Sequence, residues 1–293
     1  MFRGSYVALI TPMTDEGLVD YAGLKQLVEY QIANGTDGLI IMGTTGEAAT
    51  IPFKEQLDVL AAVIQQVAGR CQILAGNGSN STAEAVEKTQ QLNEFAIDGF
   101  LTVTPYYNKP TQKGMIAHFK AVAAAARKPV LLYNVPGRTG VDMLPTTVGE
   151  LSQIEQIVGI KEATGSMTRL AEIQQCCEAD FSLLSGDDAT AAEFVLQGGH
   201  GVISVTTNVA PAQMAAMIQA ALAGDRQIAE TIDRQLQALH RDLFIESNPI
   251  PTKWALRRMG LISSDFARLP LTRLEPIHQV VIEQALQQAK INF

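Results

Sequence analysis

A chain of 293 residues with 47% hydrophobic and 18% charged residues has the composition of a globular protein with ample core. Its formal net charge of −8 argues against nonspecific binding to nucleic acid or an anionic membrane, and no apolar run approaches the roughly 18 residues of a membrane span. Three cysteines, Cys71, Cys176 and Cys177, form no Cys-x-x-Cys motif and cannot all pair within the chain, so a disulfide framework is not expected and a reducing cytoplasm is.

Short apolar runs alternate with longer helical patterns through residue 223. The predicted strands, each with the helix that follows it, begin with Val7–Ile10 and Tyr21–Ala33, Gly38–Ile41 and Lys54–Val67, Gln72–Ala75 and Thr82–Phe95, and Phe100–Val103 and Gln112–Ala126. The second half continues with Val130–Asn134 and Leu144–Leu151, Ile157–Lys161 and Met167–Cys177, Ser182–Ser185 and Ala189–Leu196, and Gly201–Ser204 and Pro211–Leu222. Asp20 before the first helix and Asp187-Asp188 before the seventh are placed to cap free N–H groups. Paired aspartates also suit a metal ion, but no further acidic or histidine ligand accompanies them, so capping is the stronger expectation. The histidines, His118, His200, His240 and His278, lack zinc-ligand spacing and are assigned to surface or core. No long apolar segment follows Met1, so no signal peptide is expected.

Eight strand–helix units predict a (β/α)8 barrel over residues 1–224, in preference to a doubly wound open sheet. After Gly224 the pattern is helical only, near Asp225–His240, Pro251–Met259 and Thr272–Lys290, with breaks at Asn248-Pro249, Gly260 and Pro270. Residues 225–293 are expected to form a C-terminal helical domain that packs on the barrel or builds a subunit contact.

Barrel enzymes keep their active sites at the C-terminal ends of the strands, and polar, glycine-rich segments collect there. Gly43-Thr44-Thr45-Gly46 follows the second strand and offers N–H groups and two hydroxyls suited to a carboxylate or phosphate, although a plain turn would look the same. Gly76-Asn77-Gly78-Ser79 lacks the spacing of a nucleotide-binding loop. Tyr106 and Tyr107 follow the fourth strand, Gly186 the seventh, and Thr206-Thr207 the eighth. Arg138 follows a Pro-Gly turn after the fifth strand, able to fork onto a substrate carboxylate or to be an ordinary surface arginine.

Lys161 is the most informative residue. Val158-Gly159-Ile160 reads as a buried strand ending at Lys161, with Glu162–Ser166 as a turn. Desolvation disfavours an ammonium there, and a neutral amine attacks carbonyl carbon. Taken alone, a strand-end lysine more often snorkels into water. Alternation places Ile157, Gly159 and Lys161 on the barrel-interior face and Val158 and Ile160 on the helix side. The same count brings the Tyr133 hydroxyl to the mouth near Lys161, where a proton shuttle is preferred over a satisfied core tyrosine.

Together, Gly43–Glu47, Tyr106–Pro110, Tyr133–Gly140, Gly159–Gly165, Gly199–Ser204 and Asn248–Ala255 resemble the dihydrodipicolinate synthase family, within the wider group of N-acetylneuraminate lyase-like class I aldolases. The resemblance runs along essentially the whole chain. It implies a lyase in which Lys161 forms a Schiff base with pyruvate and the derived enamine attacks aspartate semialdehyde, on the route to diaminopimelate and lysine. No metal or organic cofactor is implied. Tyr133 matches the general acid/base, and Thr44 and Tyr107 match the proton relay, Tyr107 reaching across a tight dimer interface. Thr45, with Thr44, matches the pyruvate-carboxylate binder, and Arg138 matches the residue holding the aldehyde substrate's carboxylate. Gly186 and Ile203 match positions around the lysine. A homotetramer built as a dimer of dimers is expected, with no nucleic-acid or membrane partner.

Regulated members bind lysine in a dimer-interface cleft matched here by Ala49, Asn80, Glu84 and Tyr106. Phe53 and Gln56 stand where such members carry histidines, so lysine inhibition is expected to be weak or absent. A sister aldolase for sialic acid or a keto-deoxy sugar acid shares the lysine and the barrel tyrosine; Thr44-Thr45, Tyr107 and above all Arg138 favour the synthase. A non-catalytic keto-acid-binding barrel would have no need of a proton relay.

Overall fold

The computed structural model describes residues 2–293. Parallel strands need cover on both faces, and strands of four to six residues bury little alone. Here β1 (Gly4–Ala8), β2 (Gly38–Ile41), β3 (Gln72–Gly76), β4 (Gly99–Val103), β5 (Val130–Asn134), β6 (Ile157–Glu162), β7 (Ser182–Ser185) and β8 (Gly201–Ser204) pair in chain order and close into a barrel. Closure is made by parallel pairing of β1 with β8, Gly4 opposite Gly201. The helices around it are α1 (Tyr21–Ala33), α2 (Phe53–Val67), α3 (Thr82–Leu92), α4 (Gln112–Ala125), α5 (Pro136–Thr139), α6 (Pro145–Leu151), α7 (Met167–Cys176), α8 (Ala191–Leu196) and α9 (Pro211–Leu222). The chain then adds α10 (Arg226–Asp242), α11 (Ile250–Arg258) and α12 (Pro276–Gln288).

Alternation along each strand separates two apolar layers. Leu39 and Ile41 of β2 face the helices with Ile73, Phe100 and Leu132, while Ile40 turns inward with Leu74, Leu101, Leu131, Leu184 and Ile203. Each such side chain contributes about 1.5–3 kcal/mol when fully buried. A third layer joins α8 and α9 to the helical tail, Met214, Met217 and Val195 packing with Leu236, Leu239, Trp254 and Ile282. The expected caps are present: Asp20 accepts from Gly23 N at 2.9 Å, and Asp187 accepts from Thr190 N at 3.1 Å. Asp188 has a different task, accepting from Val205 N and Thr206 N and so tying the end of β7 to the end of β8.

The structure corrects three details of the sequence expectation. The first strand lies at Gly4–Ala8 rather than Val7–Ile10: Leu9 and Ile10 are buried past the strand's end, Leu9 N making a last bond to Ile40 O and Ile10 N bonded to Asn208 Oδ1. A fully buried strand tolerates Gly4 and Ser5, so hydrophobicity alone misplaces its start. The sixth strand runs one residue past Lys161, Glu162 pairing with Asn134 and Ser185. Its first residues also face the opposite way from the simple count. The register jumps from Val130↔Ile157 to Leu131↔Gly159, a β-bulge that leaves Val158 over. Ile157 therefore packs outward and Val158 inward, and only beyond the bulge do Ile160 and Lys161 take the expected faces.

Candidate active site

Tyr133 and Lys161 are opposite one another in the β5–β6 ladder, so both side chains enter the barrel at the C-terminal ends of the strands. The Lys161 ammonium nitrogen lies 4.3 Å from the Tyr133 ring centroid. Both residues are buried, Lys161 6% exposed and Tyr133 7%. Among the described residues no carboxylate lies within ion-pair distance of Lys161. A buried lysine that is not spent on an ion pair leaves its terminal nitrogen available for chemistry in the cavity.

Two glycines make room for this arrangement. A Cβ on Gly186 would lie 2.8 Å from Lys161 Cε and 2.7 Å from Ala163 Cβ. A Cβ on Gly159 would meet the Leu131 side chain at 2.7 Å, in the inner layer of the barrel.

The cavity above Lys161 measures about 180 Å³ and is walled by Thr44, Thr45, Tyr133, Arg138 and Gly186, among others. The Gly43–Glu47 turn closes on itself through Glu47 N→Thr44 O at 3.1 Å, with Glu47 in the left-handed region at φ 58°. Among the described residues the Thr44 and Thr45 N–H groups have no backbone acceptor, which leaves a small concave donor set suited to a carboxylate. Arg138 sits in the short helix α5, on the wall shared with a second, larger cavity of about 310 Å³. Its guanidinium has no carboxylate partner among the described residues and is available to an anionic ligand.

Behind the strand ends that carry Tyr133 and Lys161 lies a polar brace that alternation did not reveal. Asn134, next to Tyr133, donates to Asp142 Oδ1 at 2.8 Å and to Glu162 Oε2 at 3.1 Å. Arg169 forks onto Asp142 at 2.7 and 2.9 Å and holds that carboxyl below the usual range. Burial pushes the Glu162 carboxyl up, against hydrogen bonds from Asn134 and Thr164. The brace fixes the outer side of the two strands whose inner side carries Tyr133 and Lys161. Polar residues directly after Tyr133 and Lys161 were its only trace in the sequence.

Other expected residues fall elsewhere. Ile203 belongs to the inner apolar layer and not to the cavity wall. Tyr107 is 89% exposed, at φ 72°, and lines neither cavity, so within one chain it is not brought to Lys161. Ala49, Gln56 and Tyr106 line the larger cavity, which shares Thr44, Tyr133 and Arg138 with the smaller. Gln56 spends its amide protons on Ala48 O and Ile51 O, at 2.9 and 2.7 Å, and so fastens the loop that carries Ala49. The Asn80 carbonyl oxygen accepts from Asn108 Nδ2 at 2.8 Å. Glu84 is occupied by Lys88 at 2.9 Å and by Ser79 at 2.8 Å, and the same Lys88 ammonium lies 5.7 Å from the Phe53 ring centroid.

The tail supplies wall residues that sequence reasoning did not assign to the site. His240, Phe244 and Asn248 border the Lys161 cavity. Asn248 donates to Thr45 Oγ1 at 2.9 Å, and the fully buried Lys253 ammonium pairs with Glu47 at the end of the same turn. Among the described residues no group of three or more His, Cys, Asp or Glu is placed to hold a metal ion.

Comparison with known proteins agrees with this geometry. The family described as "Dihydrodipicolinate synthetase family" matches residues 1–289. The 4-hydroxy-tetrahydrodipicolinate synthase of Methylococcus capsulatus is 56% identical over 99% of this chain and 100% of its own. The chloride-inhibited dihydrodipicolinate synthase of Acinetobacter baumannii, complexed with pyruvate, superposes with a TM-score of 0.97 at 46% identity, covering 99% of this chain and 100% of that one. The dihydrodipicolinate synthase of Aquifex aeolicus gives a TM-score of 0.96 at 42% identity, covering 100% and 99%. With the model match spanning nearly the whole chain and relatives above half identity, this chain belongs to the dihydrodipicolinate synthetase family.

Proposed function

We propose that the cavity around Lys161 condenses pyruvate with L-aspartate 4-semialdehyde to give 4-hydroxy-tetrahydrodipicolinate, a step toward diaminopimelate and lysine. The observation that carries this is a buried, unpaired Lys161 beside Tyr133 in a cavity with two separate anion-receptive walls. Each substrate brings a carboxylate, and the Thr44–Thr45 turn and Arg138 each offer one a place.

The Lys161 amine adds to the pyruvate keto carbon, and loss of water gives the Schiff base. Removal of a methyl proton gives the enamine, whose carbon attacks the aldehyde. The amino group of the newly attached fragment then attacks the imine carbon, closes the ring and releases Lys161. Tyr133, against the amine, serves as general acid/base for these transfers. Thr44 and Tyr107 carry protons onward to solvent. Thr45 and Thr44 hold the pyruvate carboxylate, Arg138 holds the second carboxylate, and Gly186 keeps the space in which Lys161 changes bonding.

The nearly full exposure of Tyr107 supports a partner copy in which Tyr107 completes the neighbouring site, within a dimer of dimers. No helix among the described residues is long and apolar enough to cross a membrane, and the three cysteines are free thiols; we place the enzyme in the cytoplasm.

Turnover with pyruvate and aspartate semialdehyde, coupled to the next reductase step, tests the proposal. Turnover that vanishes in Lys161→Ala supports it. Absence of turnover, with pyruvate still trapped on Lys161 by borohydride, moves the acceptor to that of a sister aldolase.

A further inference from the structure

The Thr45 hydroxyl has a single proton, and what it accepts decides where that proton goes. It is buried on the wall of the Lys161 cavity and accepts from Asn248 Nδ2 at 2.9 Å. A hydroxyl that accepts an amide N–H on one side keeps its own O–H for another partner. Asn248 is itself 5% exposed and borders the same cavity, and its Oδ1 has no hydrogen-bond partner among the described residues. A bracket serving only the fold would use both ends of the amide, because an unmatched buried carbonyl is costly. Here only the donor end is engaged, and it is engaged with a cavity hydroxyl.

We infer that Asn248 is a positioning residue for substrate capture: its N–H fixes Thr45 as a hydrogen-bond donor toward an anionic carboxylate in the cavity. The inference rests on reading the Gly43–Glu47 turn as the pyruvate-carboxylate site. The amide is held in place relative to that turn. Five residues on, Lys253 is paired with Glu47 and donates to Phe266 O at 2.7 Å, and Arg268 N donates to Glu47 Oε2 at 3.1 Å. The tail thus grips the turn at Glu47 while Asn248 sets the polarity of Thr45.

An aspartate at this position would keep the shape and reverse the hydrogen bond. Ionised, it only accepts, so it would draw the Thr45 proton away from the cavity and set a like charge near the substrate carboxylate. Wild type, Asn248→Ala and Asn248→Asp are compared in initial rates with pyruvate varied, from about pH 8 to about pH 5, beside their thermal midpoints. Asn248→Ala is expected to raise the pyruvate KM on the order of tenfold, with kcat and the aldehyde KM changed less than about threefold. Asn248→Asp is expected to raise the pyruvate KM further at neutral pH and to recover toward Asn248→Ala as the introduced carboxyl protonates.

An unchanged pyruvate KM in Asn248→Ala overturns the inference. So do equal, pH-independent losses in both variants that merely follow their thermal midpoints. Borohydride trapping of pyruvate on the wild-type protein is run alongside. A missing adduct there overturns the functional reading and this inference with it; an adduct combined with an unmoved KM overturns this inference alone.

Discussion

Gly186 lies against the side chain of Lys161 so closely that a Cβ there would stand 2.8 Å from Lys161 Cε and 3.0 Å from Lys161 Cγ. The backbone just past β7 is in effect one wall of the space that holds the Lys161 side chain. Gly186→Ala is therefore expected to displace Lys161 more than it destabilises the barrel. Pyruvate trapping by borohydride should slow at least about hundredfold, the penalty for an ångström-scale misplacement of a reacting group. Stability should fall by about 1–3 kcal/mol through overpacking against Ala163. Mass spectrometry of the trapped adduct against time, beside urea unfolding, checks both. A variant that traps at the wild-type rate would show that the space is not limiting.

The Lys253–Glu47 pair is wholly buried, and burial holds the Lys253 amine below its usual range against the opposing pull of Glu47. Lys253→Met would leave the buried Glu47 side chain without its ion-pair partner, with Arg268 N as its remaining hydrogen-bond donor among the described residues. A loss of about 3–5 kcal/mol is expected in urea unfolding. Lys253→Met combined with Glu47→Leu should recover part of that loss. If the single and double variants are equally unstable, the cost lies in packing and not in the orphaned charge.

His118 is buried between α3 and α4, its Nδ1 meeting Thr82 Oγ1 at 3.0 Å and its ring set edge-on to Phe119. Desolvation lowers its pKa from the ordinary 6.5 to about 4. The unfolded chain therefore takes up this proton first as pH falls, and folding stability drops between about pH 6.5 and about pH 4. The contribution is on the order of 3 kcal/mol across that window. His118→Gln should flatten the corresponding part of the stability profile, measured as urea midpoints at pH 7 and pH 5. An unchanged slope would place the acid sensitivity elsewhere.

Lys88 already places an ammonium where Glu84 and the Phe53 ring would receive one. Free lysine is expected to compete poorly for that carboxylate. Initial rates should stay close to uninhibited as lysine is titrated through the sub-millimolar range. Lys88→Leu is expected to free Glu84 and bring some inhibition into reach at higher lysine. Strong sub-millimolar inhibition of the wild-type enzyme would contradict the expectation.

The barrel was legible in the sequence because parallel strands covered on both faces read as short continuous apolar runs between helical patterns; Leu39, Ile40 and Ile41 form such a run. Lys161 and Tyr133 were legible for a related reason, since each is a polar residue close to the C-terminal end of such a strand. The facing of Ile157 and Val158 was not, because a β-bulge changes hydrogen-bond register without changing composition. Asn248 escaped notice as a wall of the site because it stands 203 residues from Thr45 and looks, locally, like a helix break before Pro249. Tyr107 was singled out by family likeness, and nothing within one chain brings it to the cavity.

The grip of Asn248, Lys253 and Arg268 on a turn near the start of the chain also bears on synthesis. Residues 43–47 leave the ribosome long before residues 248–268, and protein domains begin to organise as they emerge. The nascent chain can begin to form β1 and β2 without the groups that orient Thr45 or neutralise Glu47. Translation arrested before Asn248 would thus yield a chain bearing Lys161 but lacking an ordered grip on its first substrate.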